Sequence, residues 1–186
     1  MNAVLKYIGN VNELLAKAPV DDIIRVGNML VETYREQKQV FIMGNGGSAA
    51  TASHLVADLQ KNIGLGREKK FKVTSFTDNL PLISAWSNDY DYSDIFVEQL
   101  APWLNEGDLV IAISGSGNSQ NVLKAIEYAN VHGGITIGLS GFDGGKLAKI
   151  AQHNVIFEST DMQHIEDVHM VIGHLLFRYM LDNIDG

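Results

Sequence analysis

Apolar positions near the start of the chain recur at the spacing of a helix face. Val4, Leu5, Ile8, Val11, Leu14 and Leu15 form one series, and Ile24, Leu30, Val31 and Tyr34 form a second. Residues three and four apart share one side of a helix, so both series predict amphipathic helices ahead of any strand. From Gln39 onward the pattern changes. Short apolar runs at Val40–Met43, Lys72–Phe76, Leu109–Ser114, Ile135–Leu139 and Asn154–Phe157 alternate with helical segments. Helices are expected to start at Ser48, near Leu80, near Tyr92, at Asn118 or Ser119, near Gly145 and near Met162. Strands that are apolar on both faces and separated by helices predict a parallel sheet covered on both sides, an α/β three-layer sandwich. No repeat, low-complexity tract or linker divides the chain. We therefore expect one domain over residues 1–186, with residues 1–37 as a helical extension.

The final helix departs from the amphipathic norm. Ile165, Val168, Met170, Val171, Ile172, Leu175, Leu176, Tyr179 and Met180 leave it little polar face. Such a helix is buried, and at this place in the chain it is expected to pack against another subunit.

Composition narrows the functional classes. The chain has 186 residues, 46% of them apolar and 19% charged, which suits a folded core rather than disorder. A net charge of −8 argues against nucleic-acid binding, which needs clustered Lys and Arg. An anionic ligand must then be held by local donors against the overall field. There is no cysteine, which excludes disulfides, thiolate metal sites and cysteine nucleophiles. No apolar run is long enough to span a bilayer, and no secretory signal pattern is present, so a cytoplasmic protein is expected.

Two loops follow strands where ligands of open α/β sheets bind. Gly44-Asn45-Gly46-Gly47-Ser48, leading to Ala49, matches G-x-G-x-x-A, a pattern of dinucleotide-binding turns. That reading fails on context, because two helices come first and no acid stands about 20 residues on to hold a ribose. No nicotinamide cofactor is expected. The second loop, Ser114-Gly115-Ser116-Gly117-Asn118-Ser119, offers three hydroxyls and glycine-flanked amides at a helix start. Neutral donors and a helix N-terminus together suit a phosphate group.

Four further residues carry ligand or proton-transfer chemistry. His54 and Asp58 are one helical turn apart, and Glu166 and His174 lie on the last helix. Their N and O donors suit zinc or a similar divalent ion, and they equally suit a His–Asp helix pair and a buried histidine. Glu166 and His174 are separated by about 12 Å of helix axis, so both reach one ion only by leaning together. His169, one turn from Glu166, and His164 are rival ligands, whereas His132 and His153 read as loop residues.

At this point the chain resembles a known family. GNGGSAA followed by a histidine, Ser87-Asn88-Asp89-Tyr90, SGSGNS, and Ile165-Glu166-Asp167-Val168-His169 ahead of His174 resemble the phosphoheptose isomerases of the sugar isomerase (SIS) domain family. The resemblance implies a flavodoxin-like, five-stranded parallel fold with two extra N-terminal helices. It implies isomerisation of sedoheptulose 7-phosphate to D-glycero-D-manno-heptose 7-phosphate for surface polysaccharides such as lipopolysaccharide. It also implies a cytoplasmic homotetramer with active sites between subunits, a zinc ion, and no nucleic-acid or membrane partner. By resemblance, Ser114, Gly115, Ser116 and Ser119 hold the phosphate, and Asn45, Gly46, Gly47 and Ser48 line the sugar with Asn88, Asp89 and Glu166. His54, Asp58, Glu166 and His174 fall at the metal ligands, and Asp58 with His174 at the acid–base pair. Three positions depart from the family pattern: Asp58 for Glu, Glu166 for Gln, and Gly115 for Thr. These leave open a different sugar phosphate, and relatives without catalysis leave open a binding protein.

Overall fold

The computed structural model describes residues 2–185. Five strands, β1 (Gln39–Gly44), β2 (Lys72–Ser75), β3 (Leu109–Ser114), β4 (Ile135–Gly141) and β5 (His153–Phe157), pair in parallel in the order β2-β1-β3-β4-β5. Side chains of a strand alternate between faces, and here both faces are apolar. Val40, Ile42, Ile111 and Ile113 point into one core, whereas Phe41, Met43, Val110 and Ala112 point into the other. The first core is closed by α2 (Val20–Arg35), α3 (Gly47–Ala57) and α8 (Met162–Asn183). The second is closed by α5 (Val97–Leu100), α6 (Gln120–Val131) and α7 (Leu147–Ile150), with α4 (Leu80–Asp89) at its margin. The expected three-layer sandwich is thus present, and the order 2-1-3-4-5 is that of flavodoxin-like sheets.

Helix α1 (Ala3–Ala16) lies outside these layers. None of its residues is buried, and Val4, Leu5 and Ile8 are 61%, 62% and 50% exposed. Only Val11, Leu14 and Leu15 rest against the first core. On α2 the pattern holds for Leu30, Val31 and Tyr34, while Ile24 faces outward.

Helix α8 differs from its expected all-round burial. His164, Ile165, Val168, His169, Ile172, Leu176 and Met180 are buried within the chain itself, and Leu175 is exposed. The helix is long enough to cover the sheet and to meet α1, α2 and α3, which accounts for most of its apolar positions. Two smaller expectations also change. The helix near Tyr92 is a single 3₁₀ turn, Tyr92–Asp94, followed by the short α5. His153 belongs to β5, paired with Ile137, because the strand begins one residue earlier than its apolar run. Among the described residues no helix is long and apolar enough to cross a membrane.

Candidate active site

The strand order sets the position of the site. From β1 the chain crosses to β2 on one side, and the sheet continues through β3 on the other. The loops after β1 and β3 therefore part at the switch point, where open α/β sheets hold their ligands. Residues 45–48 and 114–119 are those loops; residues 45–48, 114–116 and 119 line a cavity of ≈ 250 Å³ together with Met162 and Glu166 of α8. Two larger cavities, of ≈ 940 Å³ beneath α1 and ≈ 580 Å³ beside α4, lie away from this crevice. Volume does not decide between them; converging donors do.

Each loop opens a helix whose N-cap residue makes no side-chain cap bond. Gly46 precedes α3 and cannot cap it, and Ser119 precedes α6 without making a cap bond. The Ser119 hydroxyl instead meets Ser114 Oγ at 3.2 Å. Two helix N-termini with open N–H groups thus face one cavity, an arrangement that attracts an anion. The serine loop is held from behind. Gly117 N donates to Ser114 O at 2.9 Å, Asn118 Nδ2 donates to Ser116 O at 2.7 Å, and Leu147 N donates to Gly117 O at 2.9 Å. Gly117 has a φ of 63° and lies against the Gly144 backbone, so only glycine fits there.

A second cluster stands further along α3. His54 lies seven residues beyond Gly47, about 10 Å along the helix axis. His54 Nε2 is 2.8 Å from His174 Nε2, and Asp58 Oδ2 is 3.4 Å from His54 Nε2 and 3.9 Å from His174 Nε2. After Ala57 the helix widens into a π turn over Asp58–Ile63, a local form that recurs at functional sites. Asn62 donates to Asp58 Oδ1 at 3.2 Å, leaving Oδ2 turned to the histidines. Ligand atoms of these three residues all lie within 4.8 Å of one another. Two ligands on one tetrahedral ion stand about 3.3 Å apart, and the observed separations bracket that value. Two imidazoles and a carboxylate therefore fit a divalent ion here.

The structure does not bring all expected residues together. Glu166 is outside the three-residue group; its carboxylate packs on Gly47, where an added Cβ would lie 2.5 Å from Oε1. The distance along α8 that separates Glu166 from His174 is the reason. His169 is 1% exposed, sealed against Phe157, and its burial holds its pKa down to about 4. His164 packs edge-on to Tyr7 with ring centroids 4.5 Å apart, so neither rival histidine joins the group. Asn88 and Asp89 end α4, bonded to each other at 2.8 Å, and do not line the cavity.

Near the cavity the 3₁₀ turn, capped by Asp91, carries the half-exposed Tyr92, whose hydroxyl donates to Asn45 Oδ1 at 2.9 Å. Buried Asn121 pairs with the same Asn45 side chain. Sequence reasoning missed both residues. Asn121 is the second residue of α6, just beyond the recognised loop, and nothing local marks Tyr92 as a partner of a residue 47 positions away.

A parallel sheet with two donor-bearing loops at its switch point, one of them serine-rich, defines an α/β domain suited to an anionic ligand, and the chain belongs to the SIS domain family, whose model matches residues 6–141. Within that family it is similar to several phosphoheptose isomerases. The phosphoheptose isomerase of Helicobacter pylori strain P12 is 39% identical over 149 residues, 80% of this chain and 77% of that one. That of Aquifex aeolicus is 35% identical over 158 residues, 83% and 80% of the two chains. A solved phosphoheptose isomerase from Francisella tularensis superimposes with a TM-score of 0.89 at 26% identity, covering 95% of each chain.

Proposed function

We propose that this protein is a ketose–aldose isomerase that converts sedoheptulose 7-phosphate to D-glycero-D-manno-heptose 7-phosphate. The product enters surface-polysaccharide synthesis in the cytoplasm. One observation carries the reading: a carboxylate and two imidazoles converge about 10 Å along α3 from a cavity of neutral phosphate donors. That spacing suits a substrate held by its phosphate at one end and worked on at the other. The names of the relatives point the same way.

Moving a carbonyl between neighbouring carbons needs a base to remove a proton and an acid to protonate the adjacent oxygen, through an enediol. Asp58, just beyond the end of α3, and His174 of α8 take these roles from one cluster, with Asp58 Oδ2 3.9 Å from His174 Nε2. Ser114, Ser116 and Ser119 with the Gly115 amide hold the phosphate, which fixes the reacting carbons and supplies the orientation. Zinc or another divalent ion held by His54, Asp58 and His174 would supply Lewis acidity toward the substrate oxygens. Glu166, over Gly47, receives sugar hydroxyls rather than metal. The exposed apolar stripe of α1 supports assembly into a homotetramer, in which Asn88 and Asp89 complete a neighbouring site.

The test is direct. Incubation with sedoheptulose 7-phosphate, with and without zinc, should yield the aldose. Ser116→Ala should mainly raise KM, and His174→Ala should abolish turnover while substrate still binds. No aldose from the wild-type protein in either condition would reject the reading, and turnover by His174→Ala would reject the role given to that residue.

A further inference from the structure

The sheet face that carries Phe41 and Phe76 is left partly open at its β2 edge. Helix α4 borders it there with no buried residue, and Leu80 at its start is 71% exposed, so the helix does not seal the sheet. A cavity of ≈ 580 Å³ remains, the size of a small-molecule site. It shares no lining residue with the serine-loop cavity. The nearly buried Phe41 and Phe76 form its deep side, their rings stacked with centroids 5.2 Å apart. Trp86 and Trp103 line it nearer to solvent.

One side chain sets the polar chemistry of this cavity. Gln99 is 5% exposed, and its Nε2 donates to Phe76 O at 3.1 Å and to Ile95 O at 2.7 Å. Backbone carbonyls only accept, so both amide protons are spent and the orientation of the amide is fixed. Its Oε1 has no partner among the described residues, yet it is not one of the sealed polar atoms. A buried side chain that lines the cavity thus presents a lone acceptor to it. Glu98 adds an exposed carboxylate with no ion-pair partner among the described residues, and no Lys, Arg or His lines the cavity. Aromatic walls favour a flat ring, the fixed acceptor calls for a hydrogen-bond donor, and the unbalanced carboxylate repels an anion.

We infer that this cavity is a second ligand site, for a flat nitrogen heterocycle that donates an N–H to Gln99 Oε1 and bears no negative charge, the chemistry of a nucleobase. The ring packs against the aromatic side chains while Gln99 reads its donor. A sugar phosphate is anionic and has no flat ring, so the two cavities divide their ligands by chemistry.

The chain's two tryptophans both line the cavity, so their emission reports its occupancy. The probe is adenosine, compared with purine riboside, which has the same ring without the amino group. Titrating the whole protein with adenosine should give a saturable change in tryptophan emission that excess sedoheptulose 7-phosphate does not reverse. Purine riboside should bind about tenfold more weakly, the size of one net hydrogen bond. Trp103 is 60% exposed, so Trp103→Ala removes a stacking surface without disturbing the core. It should weaken adenosine about tenfold, read from the remaining Trp86, with the melting temperature unchanged. No saturable change, or equal affinity for the two nucleosides, would overturn the inference. Displacement by the sugar phosphate, or unaltered affinity in Trp103→Ala, would place adenosine elsewhere and overturn it too. Shielding of both tryptophans from acrylamide before any adenosine is added would show that a second copy of the chain fills the cavity, which equally overturns it. The isomerase reading is independent of all these outcomes.

Discussion

Buried His169 should make the fold acid-sensitive in a defined pH window. Its ring lies under α8 against Phe157, 1% exposed, and neither ring nitrogen has a hydrogen-bond partner. Burial is the larger influence and lowers its pKa from 6.5 to about 4; the nearby Ser140 backbone offsets this only in part, since it forms no full hydrogen bond. The unfolded chain therefore takes up a proton below its ordinary value, while the folded chain resists protonation until about pH 4. The stability contributed by keeping His169 neutral is present above pH 6.5 and is lost as pH falls through the window toward 4. At 1.36 kcal/mol for each unit, the whole window is worth about 3 kcal/mol, of which about 2 kcal/mol falls between pH 7 and pH 4.5.

His169→Leu isolates this effect, because the substitution removes the titration and fills the same apolar space. Urea unfolding of both proteins across the window should give curves of different slope. At neutral pH the variant should match or exceed the wild type, since two sealed nitrogens without partners are gone. At about pH 4.5 it should lead by a further ~2 kcal/mol. His153 is also lowered by burial but is present in both proteins and cancels. Asp91 and Asp185, held below their ordinary value by hydrogen bonds from Ser93 and Arg67, lose their contribution at lower pH in both. Parallel curves would refute the reasoning: the ring would then be protonated in the folded state or find a partner there.

Two further substitutions test the loops. Gly117→Ala combines a left-handed backbone with a Cβ 2.6 Å from the Gly144 carbonyl carbon, so it should cost several kcal/mol, about 2–4, and abolish binding of inorganic phosphate; calorimetry would measure both, and native-like binding would contradict the rigid loop. Gly47→Ala places a methyl group against the Glu166 carboxylate and should destabilise by about 1–3 kcal/mol, with Glu166→Ala in the same chain restoring most of it. Additive losses in the double variant would show that the two residues are not in contact.

Much of the fold was legible before any coordinates. The β3 run Leu109–Ser114 matched its strand to the residue, because a strand buried on both faces is a continuous apolar run. The helices expected to start near Leu80 and near Met162 begin at those residues, where Asn79 and Asp161 cap them. The misplacements have the opposite cause. Leu175 faces out of α8, and Val4, Leu5 and Ile8 face out of α1, because hydrophobicity marks a surface to be covered without saying by what. Within the site, the spacing of His54 and Asp58 gave their shared helix face, and the composition of the serine loop gave its chemistry. The exclusion of Glu166 and His169 from the three-residue group could not be read the same way.

The sequence by itself determined the period of each element, the two glycine- and serine-rich loops and the pairing of His54 with Asp58, because each depends on residues a turn or a loop apart. Only the tertiary structure decided that His174 meets His54 from 120 residues away, that Glu166 packs on Gly47, and that Asn121 and Tyr92 hydrogen-bond to Asn45. Those contacts are set by the strand order and by how α8 crosses the sheet. No local pattern encodes a distance between elements that the packing of the whole chain determines.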